Sequence, residues 1–340
     1  MKGSKTQHVL SPLGPLVSVI IPCYNSHSLL VPTLESLAQQ LYRPLEIIVV
    51  DDASTEGYEF LVYPFRTENL SLHIHRLEQN SGPGAARQAG LLKATGQFIQ
   101  FLDSDDLIHP HKILDNVKTL LAHPDWLMTY STTEYADARG KPQGKLLGLS
   151  KEHIDRILPQ SLVQLTWQTS SCLWNQAHLR PQAWHPLRAA EDHLFDWIQG
   201  LQNIPIGHTS DLSTHVYKRI HDQSLSEGMG KNLKYQGEIL KSYQIFSEYL
   251  TETGLALSKE KLQKMLAKKC SGKYRVFLSL GDFEAATNCI ELALKLNSSS
   301  LDVIEKLLYA LAKYCKLQLG WTLLYRYKGY FKKTKKKIPP

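Results

Sequence analysis

The chain has 340 residues, enough for one large domain with a smaller one, and its 43% hydrophobic and 21% charged residues are typical of a globular protein. Its formal net charge of +7 is concentrated at the end, because residues 321–340 contain seven Lys and Arg residues and no acidic residue. The rest of the chain is neutral overall and no recognition motif accompanies the basic end, so we expect no nucleic-acid partner.

The cysteines and the apolar segments bear on the cellular compartment that we expect for the protein. Five cysteines are scattered without a Cys-x-x-Cys pair, which argues against a disulfide framework and a zinc site and favours a reducing compartment. Residues 1–15 lack the apolar segment of a secretory signal, and no apolar stretch is long enough to predict a membrane span. We therefore expect a cytoplasmic protein, either free or peripheral on the inner face of the membrane.

Predicted strands and helices alternate along the N-terminal part of the chain. Four segments have strand-like apolar or alternating patterns: residues 16–22, 45–50, 72–76 and 97–102. Leucines at helical spacing from Leu30 to Leu41 predict an amphipathic helix between the first two, and a segment of small residues predicts another before the last. This order predicts an α/β domain with a mostly parallel sheet.

Polar residues follow three of these predicted strands, at residues 22–25, 51–54 and 103–106. In a mostly parallel sheet, ligands bind at the carboxyl ends of the strands. The sequence therefore predicts a binding site where these three segments meet.

The C-terminal part favours helices beyond about residue 230. Residues 274–299 look like two short amphipathic helices around Gly281 and Asp282, which resembles a single tetratricopeptide-type hairpin, although a helical cap on the preceding domain is the simpler interpretation. An apolar stripe over residues 301–314 leads into the Lys-rich end. That end either lies on an anionic membrane, near a lipid-linked acceptor, or is simply solvated.

The acidic cluster at residues 103–106 suits a metal ion. Asp103 and Asp105 are two residues apart at the mouth of a strand, where carboxylates can converge on one hard cation such as Mg²⁺ or Mn²⁺. Such an ion can neutralise a diphosphate leaving group. The alternative is that Asp105 or Asp106 caps the helix predicted near residues 110–122.

The segments VSVIIPCYN, EIIVVDDAST and NSGPGAARQAGLLKATGQFIQFLDSDD together resemble, in order and spacing, family 2 glycosyltransferases. The resemblance covers roughly residues 16–225 and implies the GT-A fold, a Rossmann-like αβα sandwich with a mostly parallel sheet, here with a C-terminal helical extension. We accordingly divide the chain into four parts: an N-terminal tail at 1–15, a GT-A domain at 16–229, a helical region at 230–330 and a basic tail at 331–340.

The resemblance implies a donor-binding role for six residues: Pro22, Tyr24, Asn25, Asp52, Arg87 and Asp103. The first three would line the pocket for the nucleotide base, and Asp52 would hydrogen-bond the base or the ribose. Arg87 would lie beside the nucleotide and help to hold Asp103 and the diphosphate.

The resemblance also implies a set of metal ligands for Mn²⁺ or Mg²⁺. Asp103 and Asp105 match the D-x-D pair of the family, and Asp105 is our first choice of ligand. The stretch YKRIHDQSLS resembles the Y-R-x-H-x-x-S-x-S stretch of many members, in which His221 would coordinate the metal as a third ligand or touch the diphosphate. Lys218 and Arg219 would add positive charge near the phosphates.

The acceptor half has one matching motif. Glu191 and Asp192 resemble the E-D pair whose aspartate is the general base in inverting members, although acids in the first turn of a helix also complement its dipole. Trp167, Trp174 and Trp184 lie in the same half, where indole rings either stack on sugars or, more commonly, pack in a core.

These features together predict an inverting, metal-dependent glycosyltransferase that uses a nucleotide-diphospho-sugar donor and a glycan or lipid-linked acceptor. The sequence lacks the Q-x-x-R-W block of the processive members, so we expect one sugar to be transferred at a time. The alternatives are a sugar-nucleotide nucleotidyltransferase and a catalytically inactive GT-A module used for binding or as a scaffold.

Overall fold

The computed structural model describes residues 14–58, 69–209, 214–222, 232–252 and 257–299, together with residues 301, 306, 309 and 310. The chain divides into two compact units, residues 1–224 and residues 225–340. The basic tail at 331–340, and almost all of the N-terminal tail and of the apolar stripe, lie outside the described residues.

The first unit combines strands with four helices in its described part. The strands are β1 Val17–Cys23, β2 Leu45–Asp51, β3 Leu70–Arg76, β4 Phe98–Phe101, β5 Asp106–Ile108, β6 Met128–Tyr130, β7 Thr132–Ala136, β8 Pro142–Leu146, β9 Leu173–Asn175, β10 Ile206–His208 and β11 Thr214–Arg219. The helices are α1 His27–Ala38, α2 Pro83–Leu91, α3 Lys112–Ala122 and α4 Glu191–Gly200. Short 3₁₀ turns occur at Gln160–Leu162, Thr169–Ser171 and Gln176–His178.

The larger sheet has seven strands in the order β10-β6-β9-β4-β1-β2-β3. Neighbouring strands are parallel except around β9, which runs antiparallel to both β4 and β6. Strands β1, β2 and β4 are buried along their whole length, which explains their continuous apolar sequences. The predicted mostly parallel sheet is therefore confirmed, and the polar ends of β1, β2 and β4 lie at the same edge.

The predicted first helix is present but ends earlier than the leucine pattern suggested. Leu30, Leu34 and Leu37 are fully buried in the core on one side of the large sheet. Leu41 lies beyond the end of α1 and is only half-buried. The helical spacing therefore identified the buried face correctly and placed its end about one turn too late.

Helix α2 packs closely on the other face of the sheet. A Cβ atom added to Gly90 would clash with Cγ2 of Ile20 and lie 3.1 Å from Cγ2 of Val50. The absence of a side chain thus lets the helix approach β1 and β2, which fixes the position of the rest of α2 above the strand ends.

A second sheet, which the sequence did not predict, has the order β5-β11-β7-β8. Strand β11 pairs antiparallel with β5, so that Lys218 lies opposite Asp106. On its other side β11 runs parallel to β7. This pairing brings the segment that carries His221 alongside the acidic cluster.

The second unit contains α5 Leu233–Tyr249, α6 Lys259–Ser279 and α7 Phe283–Leu296. Helices α6 and α7 form the predicted hairpin, in which Gly281 has a positive φ of 79° and Oδ1 of Asp282 accepts a hydrogen bond from the N–H of Ala285 at 2.9 Å. Helix α6 starts earlier than expected, because Leu262 and Leu266 extend its buried face towards the N-terminus. Within the described ranges, no helix is both long and apolar enough to cross a bilayer.

Candidate active site

The loops after β1 and β2 are tied to each other. The N–H of Asn25 donates to Oγ of Ser54 at 2.9 Å, and Oδ1 of Asn25 accepts from the N–H of Thr55 at 2.9 Å. Tyr24 is 51% exposed beside this junction, whereas Pro22 is buried within β1. The structure therefore brings Tyr24 and Asn25 to the mouth of the site and keeps Pro22 in the strand itself.

Asp52 holds the segment that leads into α2 through two backbone hydrogen bonds. Its two carboxylate oxygens accept from the N–H groups of Ser81 and Gly82 at 2.7 and 2.8 Å, and the side chain is buried. Each oxygen can accept a second hydrogen bond, so contact with a base or ribose remains a prediction. The structure adds a role that the sequence did not reveal, which is to hold the N-terminus of α2 against the end of β2.

Three non-glycine residues in these loops and at the start of α4 have a left-handed backbone conformation. Asn25, Ala53 and Ala190 have φ angles of 48°, 58° and 60°, in the left-handed region that residues with a side chain rarely adopt. Such conformations cost on the order of 1–3 kcal/mol each and concentrate at functional sites. Each of the three adjoins a predicted site residue or is one.

Arg87 lies at the centre of the site and is almost completely buried. Its Nη2 atom donates to Oδ1 of Asp103 at 2.6 Å, its Nη1 atom donates to Oε1 of Glu191 at 2.9 Å, and its guanidinium lies 4.8 Å from the centre of the Trp184 ring. Burial opposes the charge, but Asp103 and Glu191 outweigh it and raise the pKa of the guanidinium. The predicted contact with Asp103 is present, and contact with a diphosphate stays a prediction.

Three carboxylates converge after β4. Asp103, Asp105 and Asp106 each offer an oxygen, and these oxygens lie within 4.8 Å of one another. Asp106 is the most deeply buried, and burial together with the charges of Asp105 and Asp103 raises its pKa to about 8. Helix α3 begins at Lys112 and its N-cap residue is His111, so the capping alternative for Asp105 and Asp106 is wrong.

A 3₁₀ turn that the sequence did not single out supports this cluster. The hydroxyl of Ser170 donates to Oδ2 of Asp106 at 2.6 Å and accepts from the N–H of Asp103 at 3.1 Å. The amide of Gln168, just before the turn, donates to Oδ2 of Asp103 at 3.0 Å and to Oδ2 of Asp106 at 3.3 Å. A polar Gln-Thr-Ser-Ser run before a buried strand was the available signal.

The end of β11 supplies a histidine and two cations. Nε2 of His221 lies 2.9 Å from Oδ2 of Asp105, so the structure brings the predicted third ligand beside the cluster. Nζ of Lys218 donates to Oε1 of Gln168 at 3.1 Å. Arg219 is buried and donates to the backbone carbonyls of Asp105 and of Leu29 in α1, which gives it a structural role, and the charge it adds near phosphate stays a prediction.

Helix α4 begins with the predicted acidic pair. Oδ1 of Asp192 accepts from the N–H of His193 at 2.7 Å. Burial opposes its charge, but His193 and Arg87 outweigh burial and hold its pKa below the usual value. Burial and Asp192 raise the pKa of Glu191 to about 7. Asp192 is therefore ionised as a general base must be, and the pair also occupies a helix N-terminus, so the two interpretations are compatible.

The three tryptophans of the acceptor half are core residues. Trp167, Trp174 and Trp184 are all buried. Nε1 of Trp167 donates to Oδ2 of Asp196 at 2.9 Å, and Trp184 stacks on Phe195 with ring centres 4.1 Å apart. The sugar-stacking interpretation is therefore wrong for all three in this structure.

Comparison with known proteins finds a match to one family model within the first unit. Residues 18–165 match the model of glycosyl transferase family 2. An uncharacterized glycosyltransferase of Haemophilus influenzae is 34% identical over 138 residues, which cover 41% of this chain and 54% of that protein. The poly(ribitol-phosphate) beta-N-acetylglucosaminyltransferase TarS of Staphylococcus aureus is 32% identical over 184 residues, which cover 52% of this chain and 31% of that protein.

A third relative, the putative teichuronic acid biosynthesis glycosyltransferase TuaG of Bacillus subtilis, is 40% identical over 92 residues, or 27% of this chain and 36% of that protein. The chain thus spans about half the length of these curated relatives, or less. The crystal structure of S. aureus TarS 1–349 in complex with UDP is similar at a TM-score of 0.67 and 23% identity, covering 91% of this chain and 90% of that one. The expected GT-A fold is confirmed.

Proposed function

We propose that this chain, whose residues 18–165 match the model of glycosyl transferase family 2, transfers one sugar at a time from a nucleotide-diphospho-sugar to an acceptor hydroxyl. The observation that carries the proposal is the convergence of Asp103 and Asp105 with Arg87, whose guanidinium also bonds Glu191, the neighbour of Asp192 in the chain. TarS structures with UDP and with UDP-GlcNAc support a uridine diphosphate sugar as the class of donor.

The mouth of the site suits the nucleoside part of the donor. The half-exposed ring of Tyr24 offers an apolar face on which a base can stack. Asn25 and Asp52 hold the flanking loops in place through backbone hydrogen bonds, which fixes the shape of this pocket before the donor arrives. Preorganisation of this kind lowers the entropy cost of binding.

The acidic cluster fits a divalent cation such as Mn²⁺ or Mg²⁺. Its carboxylates are hard oxygen donors. The pKa of Asp106 is raised by burial and by repulsion from Asp105 and Asp103, and the charge of a cation would offset both effects. We assign Asp103 and Asp105 as ligands and His221 as the third, because its ring lies against Asp105. When bound, the ion would neutralise charge on the diphosphate leaving group.

The acceptor side depends on Asp192. Its carboxylate is ionised and can take the proton from an acceptor hydroxyl as the oxygen attacks the anomeric carbon. Attack from the face opposite the diphosphate inverts the configuration at that carbon. Arg87 stays charged and holds Asp103 and Glu191 at fixed positions, so the donor side and the acceptor side keep their spacing.

The names of the relatives favour a glycan polymer such as a poly(ribitol-phosphate) or a teichuronic acid as the acceptor, since TarS is named for poly(ribitol-phosphate) and TuaG for teichuronic acid biosynthesis. The alternatives from the sequence gain no support from these relatives. A nucleotidyltransferase would need a glycine-rich, basic loop after β1, and that loop reads Cys-Tyr-Asn-Ser.

A binding experiment tests the proposal. We expect UDP and UDP-sugars to bind in the presence of Mn²⁺, as measured by titration calorimetry, and the donor to be hydrolysed slowly without acceptor. EDTA and the Asp105→Ala variant should each abolish metal-dependent binding. The matched control is Asp155→Ala, because the side chain of Asp155 is 93% exposed and lies outside the cluster. Donor binding that is unchanged in Asp105→Ala would overturn the proposed metal site.

A further inference from the structure

We propose that Gln168 is a positioning residue that holds Asp103 and Asp106 through its amide nitrogen and restrains the ammonium of Lys218 through its amide oxygen. The inference rests on the proposed function, because it takes the acidic cluster as the site of the metal ion. It assigns a purpose to a side chain that neither its own sequence neighbourhood nor the family pattern singled out.

The hydrogen bonds of Gln168 fix the orientation of its amide. The nitrogen lies 3.0 Å from Oδ2 of Asp103 and 3.3 Å from Oδ2 of Asp106, and the oxygen lies 3.1 Å from Nζ of Lys218. An ammonium can only donate, so the atom that faces Lys218 must be the amide oxygen. The side chain is buried, so these contacts are made away from bulk water.

The backbone at Gln168 and just after it is held by hydrogen bonds. The hydroxyl of Ser171 donates to the carbonyl of Gln168 at 2.7 Å. The amide of Gln100, in β4, donates to the carbonyl of Ser170 at 2.9 Å. The turn is therefore hydrogen-bonded to β4, the strand that leads into the cluster. This attachment fixes the position of Gln168 relative to the carboxylates.

Lys218 is the cation that this arrangement controls. It lies opposite Asp106 in the pairing of β5 with β11, and Asp106, Asp103 and Asp105 all attract its charge. A lysine ammonium on a flexible stem can pair directly with carboxylates and occupy the oxygens that a divalent ion needs. By accepting a hydrogen bond from Lys218, Gln168 keeps the ammonium beside the carboxylates rather than on them.

Removal of this restraint should weaken metal binding through Lys218. In Gln168→Met, which keeps the size of the side chain but loses both hydrogen-bonding groups, the ammonium can move onto Asp103 and Asp106 and compete with the ion. We expect the affinity for Mn²⁺ to fall about tenfold, which is within the range of coupling between contacting residues. In the double variant Gln168→Met with Lys218→Met the competitor is absent, so most of the affinity should return.

The experiment is a double-mutant cycle with Mn²⁺ alone as the probe. Binding is followed in the full chain by the electron paramagnetic resonance signal of free Mn²⁺, so the readout does not depend on activity. Thermal unfolding of each variant checks that the fold is intact. If Gln168→Met folds poorly, the single variant Lys218→Met still tests whether Lys218 competes with the ion, because this variant should bind Mn²⁺ at least as tightly as wild type.

The outcomes separate this inference from the proposed function. A gain in Mn²⁺ affinity from Lys218→Met that is clearly larger in the Gln168→Met background than in wild type supports the restraint of Lys218 by Gln168. Losses that simply add, or weaker binding in Lys218→Met alone, overturn the inference and leave the metal site intact. A wild-type protein that binds no Mn²⁺, with or without UDP, overturns the proposed metal site and this inference with it.

Discussion

Arg87 joins both sides of the site through one guanidinium. It bonds Asp103 after β4 and Glu191 at the start of α4, and its face lies over Trp184. Because Glu191 is buried and the side chain of Asp103 is only 23% exposed, both carboxylates rely on the cation for charge compensation. The same residue therefore supports stability and the geometry of the site.

Loss of this cation should be costly. We expect Arg87→Met to lower the free energy of unfolding by about 3–5 kcal/mol, because it leaves buried carboxylates unpaired. Urea unfolding in mildly alkaline buffer measures the effect, since Glu191 with its pKa of about 7 is then ionised. Arg156→Met, at a side chain that is 36% exposed, is the control and should change stability by less than about 0.5 kcal/mol. Equal stability of the two variants would contradict the role of Arg87.

Lys112 in α3 is a second buried cation, and it donates to Oε1 of Gln100. Burial lowers its pKa from 10.5 to about 7. Between these two values the unfolded chain binds more protons at this position than the folded chain. The contribution of Lys112 to stability therefore becomes more favourable as the pH rises through this window, and that gain is lost as the pH falls back through it.

The variant Lys112→Met should remove this dependence. Relative to the variant, wild type should gain on the order of 1–3 kcal/mol of unfolding free energy between neutral pH and about pH 10. Denaturant unfolding at a series of pH values measures the difference, in which the other titrating groups cancel. Lys118→Met, at an exposed lysine of the same helix, is the control and should run parallel to wild type. A parallel profile for Lys112→Met as well would show that its pKa is not lowered.

At this scale the sequence predicted some contacts and not others. The motifs predicted that Arg87 lies beside Asp103 and that His221 lies beside Asp105, and the structure contains both contacts. Gln168 was missed because the polar run that contains it does not reveal its partners, which lie 62 and 65 residues away. Contacts of this kind depend on how the sheets pair, and a single sequence does not reveal that pairing.

The strands differ in how well their sequences predict them. Strands β1, β2 and β4 are buried on both faces, so their continuous apolar runs predicted them directly. Strand β5 has three residues, too few to show any period, and its existence depends on pairing with β11. The second sheet could therefore not be predicted from the sequence, although it positions His221 and Lys218.

The close approach of α2 to the large sheet gives a prediction about a whole element. In Gly90→Ala the new methyl group would clash with Ile20, so either the helix moves away from β1 or the strand shifts. We expect a loss of about 1–3 kcal/mol in unfolding free energy. Because Arg87 lies one turn earlier on α2, the affinity for UDP with Mn²⁺ should fall as well.

The matched control is another helical glycine. A Cβ atom at Gly272 in α6 meets nothing within 4 Å, so Gly272→Ala should stabilise the protein by about 0.5–1 kcal/mol through helix propensity alone. Thermal and urea unfolding compare the two variants. If Gly90→Ala proved as stable as Gly272→Ala, the packing of α2 would not depend on the missing side chain.

Charge is distributed unequally over the whole molecule. Residues 225–340 contain 21 of the 39 Lys and Arg residues and 10 of the 32 Asp and Glu residues, which gives a formal charge of +11. Residues 1–224 carry a formal charge of −4. Exposed lysines of α6, among them Lys261, Lys264 and Lys268, contribute to the excess. We expect a unit of this charge to be attracted to anionic lipid surfaces.

We therefore expect the protein to sediment with vesicles that contain anionic phospholipid and not with neutral vesicles, and to be released by high salt. Replacement of Lys261, Lys264 and Lys268 by Gln should weaken this binding at least about tenfold, since each basic residue near an anionic surface contributes roughly 1 kcal/mol.

The control must separate a membrane-binding unit from a merely basic protein. Lys141, Lys145 and Lys151 are three exposed lysines of the first unit, and their replacement by Gln changes the net charge by the same amount. If binding depends on the location of charge, this control variant keeps its affinity for anionic vesicles while the α6 variant loses it. Equal weakening in the two triple variants would show that only net charge matters. Sedimentation with neutral and anionic vesicles alike would point to apolar rather than electrostatic attachment.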